Sequence, residues 1–306
     1  GSERWLSSHT QGYKTTQESA AHGLTPVWEP RMRARVCGAC HQGDAAHVMT
    51  HAIMAAGHPP LVFELDTFTA LQPAHFTADA DYAARKGASD PARTWLVGQA
   101  VAAQSFLDQI AAPGKPGVFP EPALFDCNAC HHSMFATRAT AARTPGAQRG
   151  VVPLADAPLL LVAHWLRASG SAQAANCDQS LRKLYGAVES GDRKQLAGRA
   201  GEMRKLLEHA VLTQAQEQPL EPAQIKSLLL VLLDQAAQPR RGDFSHAEHT
   251  AMGASLVLAA LQERGALEVD AATQKSLDEM YASIEDRHRF SAETYGSAVA
   301  PLRTRG

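Results

Sequence analysis

The chain has 306 residues, of which 45% are hydrophobic and 20% charged, a globular composition with room for one large domain or two ordinary ones. A formal net charge of −2 argues against nucleic acid as a partner. The longest aliphatic run, Leu228 to Leu233, is far too short to span a bilayer, so no integral membrane segment is expected.

At the start of the chain, Gly1-Ser2-Glu3-Arg4 is not followed by an apolar stretch of the signal-peptide kind. The expectation is a leader already removed, or a chain that is a fragment. Residues 31 to 57 read as a helix-rich stretch ending near Gly57, because Pro59 and Pro60 forbid its continuation. Within it stands Cys37-Gly38-Ala39-Cys40-His41. Asp90-Pro91 is a helix start, with Asp90 as cap and Pro91 at the first position, and that helix is expected to run to about Ala112. A Pro/Gly loop from Pro113 to Pro122 follows, and then Cys127-Asn128-Ala129-Cys130-His131. The irregular stretch Arg138 to Pro153 separates the two halves.

The second half carries long Leu/Ala-rich helical patterns at about 156–168, 174–189, 191–213, 222–237, 245–264 and 271–297. Ser245-x-x-Glu248 has the form of a capping box opening one of them. Helices in such succession predict a bundle with short connections. No convincing strand and no repeat beyond the five-residue motif is present.

That motif, C-x-x-C-H in two copies, is the attachment sequence for a c-type haem. Thiols at i and i+3 lie on one face of a helical turn, so both can add across the two vinyl groups of one porphyrin. The histidine that follows then supplies the proximal nitrogen to iron. Zinc is the main competitor, but paired C-x-x-C knuckles hold zinc when about 15–20 residues separate them. Here residues 41 to 126 intervene, and each pair carries an adjoining His that a zinc ribbon does not need. A thioredoxin-like motif requires a βαβ setting that is missing, and an i, i+3 pair on a helical turn is poor disulfide geometry. The expected cofactors are therefore two covalently attached haem c groups, held by Cys37, Cys40, His41, Cys127, Cys130 and His131. Cys177 is left over as a buried or reduced thiol.

His41 and His131 are thus candidate fifth ligands, and the sixth decides function. A second His gives a low-spin carrier, whereas an empty position gives a site for small molecules. Of 14 histidines, the densest group is His47, His51 and His58. His47 and His51 are four apart, and His51 and His58 one heptad apart, which on a continuous helix is nearly the same face, whereas a helix ending at Gly57 puts His58 in or just beyond its C-cap, where it can point elsewhere. His51 and His58 are the leading candidates, and His47 reads more as a surface residue. His132 follows His131 directly, cannot easily reach the same iron, and could ligate a neighbouring haem or bond a propionate. His9 lies near the terminus, and His246 and His249 open a helix. Lower-ranked metal candidates are His9, His132 and His249. Met49, Met54 and Met134 are further options that would raise the potential, although Met in an Ala-rich helix is more often packing.

The run Cys37-x-x-Cys40-His41-Gln42-Gly43-Asp44 and, further on, His51-Ala52-Ile53-Met54-Ala55-Ala56-Gly57-His58-Pro59-Pro60-Leu61-Val62-Phe63-Glu64 resembles the multihaem c-type cytochromes related to the tetrahaem electron acceptor of hydroxylamine oxidoreductase. The block Phe125-Asp126-Cys127-Asn128-Ala129-Cys130-His131-His132 and the segment Trp95 to Ala100 fit the same pattern. The resemblance covers roughly residues 1–135. It implies a periplasmic, mostly α electron-transfer protein with His-rich axial coordination, and it supports His51 and His58 as residues that matter at the haems. Thr50 stands where many relatives have Asn, and relatives often carry further haem motifs ahead of a run like Trp5 to His9.

The expected fold is mostly α, with a di-haem cytochrome c domain over 1–150 followed by a helical bundle without a haem motif over 151–306. The expected function is electron transfer to or from a redox partner protein, in the periplasm or outside the cell. The alternatives are a haem enzyme with an open sixth position, such as a peroxidase or a nitrogen-oxide-converting protein, and a haem-bearing subunit or fragment of a larger multihaem complex.

Overall fold

A computed structural model describes residues 15–58, 62–72, 79–87, 90–112, 121–131, 152–213, 215, 220–237 and 244–304. The protein is mostly α. Among the described residues no strand is present, only one isolated bridge between Phe125 and Leu154.

The first half contributes α1 (Thr16–Ala21), α2 (Pro30–His41), α3 (His51–Ala55), α4 (Leu65–Leu71), α5 (Ala80–Lys86), α6 (Pro91–Ala111) and the single turn α7 (Cys127–Cys130). The second half contributes α8 (Ala157–Ala168), α9 (Ala174–Ser190), α10 (Arg193–Leu207), α11 (Pro222–Ala237), α12 (Phe244–Glu263), α13 (Ala271–Ala282) and α14 (Ala292–Arg303).

The centre of the molecule is α6. Asp90 accepts from the Arg93 backbone N–H at 3.1 Å, and Pro91 fills the first turn, where no donor is needed. Buried residues surround α6 on nearly every face, as expected of a helix packed on all sides. It meets α2 and α4 from the first half and α8, α10 and α12 from the second. Trp95, Leu96 and Leu107 are essentially inaccessible, and each such side chain contributes roughly 1.5–3 kcal/mol by burial.

One apolar cluster runs from Ala34 to Leu302, so both halves share a core. Polar ties cross between them as well. Arg31 on α2 bonds Glu208, Arg35 lies 3.8 Å from the same carboxylate, and Gln104 on α6 donates to it at 3.2 Å. Glu208 opens the π-helical turn Glu208–Thr213 that continues α10. The expected boundary near residue 150 lies outside the described residues.

The predicted helices of the second half are present with small shifts, and two readings require correction. The pattern over 271–297 is two helices. After Ala282 the chain turns through a 3-10 segment, Arg287–Arg289, begun by Asp286, and α14 restarts where Ser291 accepts from the Thr294 N–H at 3.3 Å. Ser245 lies inside α12 rather than at its cap, and Glu248 faces Arg287 at 3.8 Å.

The stretch 31–57 is also broken. α2 stops at His41, and Gly43 turns the chain with φ +80°. Asp44 then accepts from the N–H groups of Ala46 and His47, each at 2.8 Å, a local loop that competes with helix. Only at Thr50, whose hydroxyl caps Ile53, does α3 begin. It ends in a Schellman motif: Gly57 N–H donates to Met54 C=O at 2.9 Å and His58 N–H to Ile53 C=O at 3.3 Å, with Gly57 at φ +104°.

Candidate functional site

Both C-x-x-C-H motifs open onto one cleft of about 500 Å³, lined by Cys40 and His41 from the first and Cys127 from the second. Its walls are largely apolar, with Phe63, Phe106, Leu124, Phe125 and Phe244 among them. This size and character fall in the range of small-molecule sites.

The first motif forms the last turn of α2. Cys37 is half-buried, Cys40 and His41 are exposed, and Gly38 is buried on the opposite side, where α2 packs on α6. The His41 imidazole stacks on Phe63, with centroids 4.6 Å apart and planes 12° from parallel. The loop after His41 is held from α6: the Gln109 amide donates to the carbonyls of Gln42 at 3.3 Å and Gly43 at 3.2 Å, while Gln42 donates to Phe63 C=O at 3.0 Å.

The second motif is the single turn α7, closed by His131 N–H donating to Cys127 C=O at 2.8 Å. Asp126 N–H donates to Pro153 C=O at 2.8 Å, and Ala155 N–H to Leu124 C=O at 2.9 Å, which seats this turn against the entry to α8. Cys130 and His131 are exposed.

Burial pushes the thiols of Cys37 and Cys127 above their ordinary value, opposed by the nearby guanidinium groups of Arg33 and Arg287 respectively. No disulfide joins the five cysteines, and fully buried Cys177 is pushed up to about 12, the behaviour of an inert core thiol.

His51, the first residue of α3, is exposed, and its ring centroid lies 5.9 Å from that of His131, with planes 27° apart. Its backbone N–H donates to the Glu121 carboxylate at 2.7 Å, so the start of α3 is bonded to the segment leading into the second motif. His58, at the other end of α3, is exposed; like Cys37, His51, Cys130 and His131, it is not among the residues that line the cleft. The heptad relation between the two histidines therefore does not place them on one helical face.

His47 lines the cleft from the Asp44 loop, with Nδ1 3.0 Å from the Asp44 carboxylate. Met49 and Met54 line it too. His249 on α12 is 5% exposed and forms part of the cleft wall, so the half without a motif also contributes to the site. His9, His132 and Met134 lie outside the described residues.

Sequence reasoning missed Arg287 and the aromatic walls. Arg287 lines the cleft, lies over the Phe244 ring at 4.9 Å, and acts on the Cys127 thiol, yet stands 160 positions further along the chain. No local pattern signals such a residue.

Among the described residues no group of three or more His, Cys, Asp or Glu side chains is gathered as a metal site. A porphyrin supplies the equatorial nitrogens of its iron, so a haem site needs only axial groups from the protein. His41 and His131 could serve as those groups, with the paired thiols as covalent anchors. Compared with protein-family models, curated proteins and solved structures, the chain finds no match. No helix among the described residues is long and apolar enough to cross a membrane.

Proposed function

We propose that this protein is a di-haem c-type cytochrome that passes electrons to or from a redox partner protein. The observation that carries this reading is the shared cleft, onto which both C-x-x-C-H motifs open, between apolar walls. Bound haem supplies one-electron chemistry at iron, and the chain supplies anchors, axial nitrogens and a dry surround. Cys37 and Cys40 anchor one group and Cys127 and Cys130 the other, with His41 and His131 as proximal ligands.

Exchange with a partner needs a cofactor edge near the surface. Cys40, His41, Cys130 and His131 are exposed, as are Val36 on α2 beside the first motif and Ile53 on α3, apolar groups suited to a weak, transient contact. The resemblance to multihaem cytochromes over roughly residues 1–135 points the same way. Covalent attachment of haem takes place outside the cytoplasm, which assigns the working protein to the periplasm or the extracellular side.

The test is intact-mass analysis of protein produced together with a haem-attachment system. Two haem additions are expected, with one lost when both Cys37 and Cys40 are changed to Ser and the other lost when both Cys127 and Cys130 are. An unmodified chain would overturn the proposal. Low-spin spectra without carbon monoxide binding after reduction fit the carrier, whereas a high-spin haem that reacts with peroxide or nitric oxide would convert the reading to an enzyme.

A further inference from the structure

A second cavity, of about 450 Å³, adjoins the cleft and shares Val62 with it. It is large enough for a small organic molecule. Its chemistry differs from that of the cleft. Two carboxylates, Glu248 on α12 and Glu285 after α13, line it, and among the described residues no Lys, Arg or His does. The rest of the wall is apolar and includes Met252 and two aromatic rings, Phe68 on α4 and Tyr281 on α13. Both rings keep more than a third of their surface exposed, 37% and 39% respectively. The face of such a ring attracts a cation. The Tyr281 hydroxyl lies 3.5 Å from the Ala251 carbonyl oxygen, which ties this ring to the helix that carries Glu248.

Glu248 holds a carboxylate oxygen, Oε2, that is buried and accepts no hydrogen bond among the described residues. Its ion-pair partner Arg287 stays 3.8 Å away, lies over the Phe244 ring at 4.9 Å, and lines the cleft rather than this cavity. A buried acceptor without a donor is unfavourable. Burial also pushes the Glu248 carboxyl from 4.5 up to about 7 in spite of Arg287. A ligand with a positively charged N–H group would relieve both costs. An anion would meet two carboxylates, and a bare metal ion would find too few oxygen ligands in this wall.

We propose that this cavity binds a small organic cation. Its apolar body rests against Phe68, Met252 and Tyr281, and its ammonium group pairs with Glu248 and Glu285. None of these residues belongs to a C-x-x-C-H motif, so the site does not depend on the di-haem reading.

The test is calorimetric titration at pH 8 of the full chain, produced with the haem-attachment system, with three probes of similar size: 2-phenylethylammonium, 2-phenylethanol and 3-phenylpropionate. The ammonium is expected to bind once per chain and roughly tenfold or more tighter than the alcohol, and the carboxylate not to bind. Glu248→Gln is expected to weaken the ammonium by roughly tenfold while leaving the alcohol unchanged. Glu285→Gln, at an exposed position, is expected to weaken it by about threefold. Tyr281→Ala should weaken ammonium and alcohol alike. No binding of the ammonium at millimolar concentration, or binding no tighter than that of the alcohol, would overturn the proposal. So would unchanged ammonium binding in a Glu248→Gln variant that keeps the wild-type thermal midpoint. If that variant does not fold, unchanged binding in both Glu285→Gln and Tyr281→Ala would overturn it instead.

Discussion

Gly253 on α12 and Trp95 on α6 are in such close contact that a Cβ added at Gly253 would lie 2.8 Å from three atoms of the indole. Trp95 is inaccessible to solvent, so the ring cannot move aside cheaply. Gly253→Ala removes a flexible residue from a helix, which alone would stabilise by roughly 1 kcal/mol. Overpacking against a fixed ring outweighs that, and a net loss of about 1–3 kcal/mol is expected, read as a lower thermal midpoint. Because this contact joins α6 to the half without a haem motif, one cooperative transition should shift as a whole.

Gly43 is the turn that separates the first motif from the His47 loop. It has φ +80°, and a Cβ there would approach the His47 carbonyl oxygen to 2.5 Å. Gly43→Ala is expected to cost about 1–3 kcal/mol in denaturant unfolding through backbone strain alone. If haem is attached at the first motif as proposed, the same variant should broaden or shift its spectrum, since Gln109 clamps this loop to α6.

Asp66 is a pH-dependent weak point. Burial raises its pKa from 3.8 to about 7, outweighing the pull of Arg33 at 3.1 Å, with Glu64 and Asp90 adding to the rise. A carboxyl whose folded pKa lies above its unfolded value stabilises the fold below about pH 4, and that stability is lost as pH rises toward 7. Wild type should therefore lose stability relative to Asp66→Asn between pH 5 and pH 8, by at most about 3 kcal/mol. Parallel urea titrations of the two proteins at those pH values check this, and equal pH slopes would refute it.

Tyr295 on α14 donates its hydroxyl to Ala247 C=O at 3.0 Å and lies 2.7 Å from the Thr250 hydroxyl. Burial pushes its phenol up, so it remains a donor at all working pH values. Tyr295→Phe leaves Thr250 bonded to the carbonyls of His246 at 2.9 Å and Ala247 at 3.0 Å, so the loss should be only about 1 kcal/mol. Chemical unfolding of the variant gives the measurement.

Much of the fold was legible because its signals are local. Asp90-Pro91 specified the start of α6 through a cap and a missing donor, and the Leu/Ala periodicity specified α8 to α12 to within a few residues. The failures came where local patterns compete. In 42–50 helix-compatible residues surround Gly43 and Asp44, whose turn chemistry stops α2, so the His47–His51–His58 spacing lost its helical meaning. In 271–297 an apolar pattern continued through Asp286 and Ser291, which both act as caps.

By itself the sequence determined the donor set, two pairs of thiols each with its histidine, and the succession of helices, because spacing of three or four residues and capping act within a turn. Only the tertiary structure decided that both motifs share one cleft, that Arg287 and His249 belong to its wall, and that His51 faces His131 rather than sharing a helical face with His58. Those relations depend on how α6 packs against helices from both halves, and on single bonds such as that of His51 to Glu121. Contacts between residues 70 or more positions apart leave no trace in local spacing.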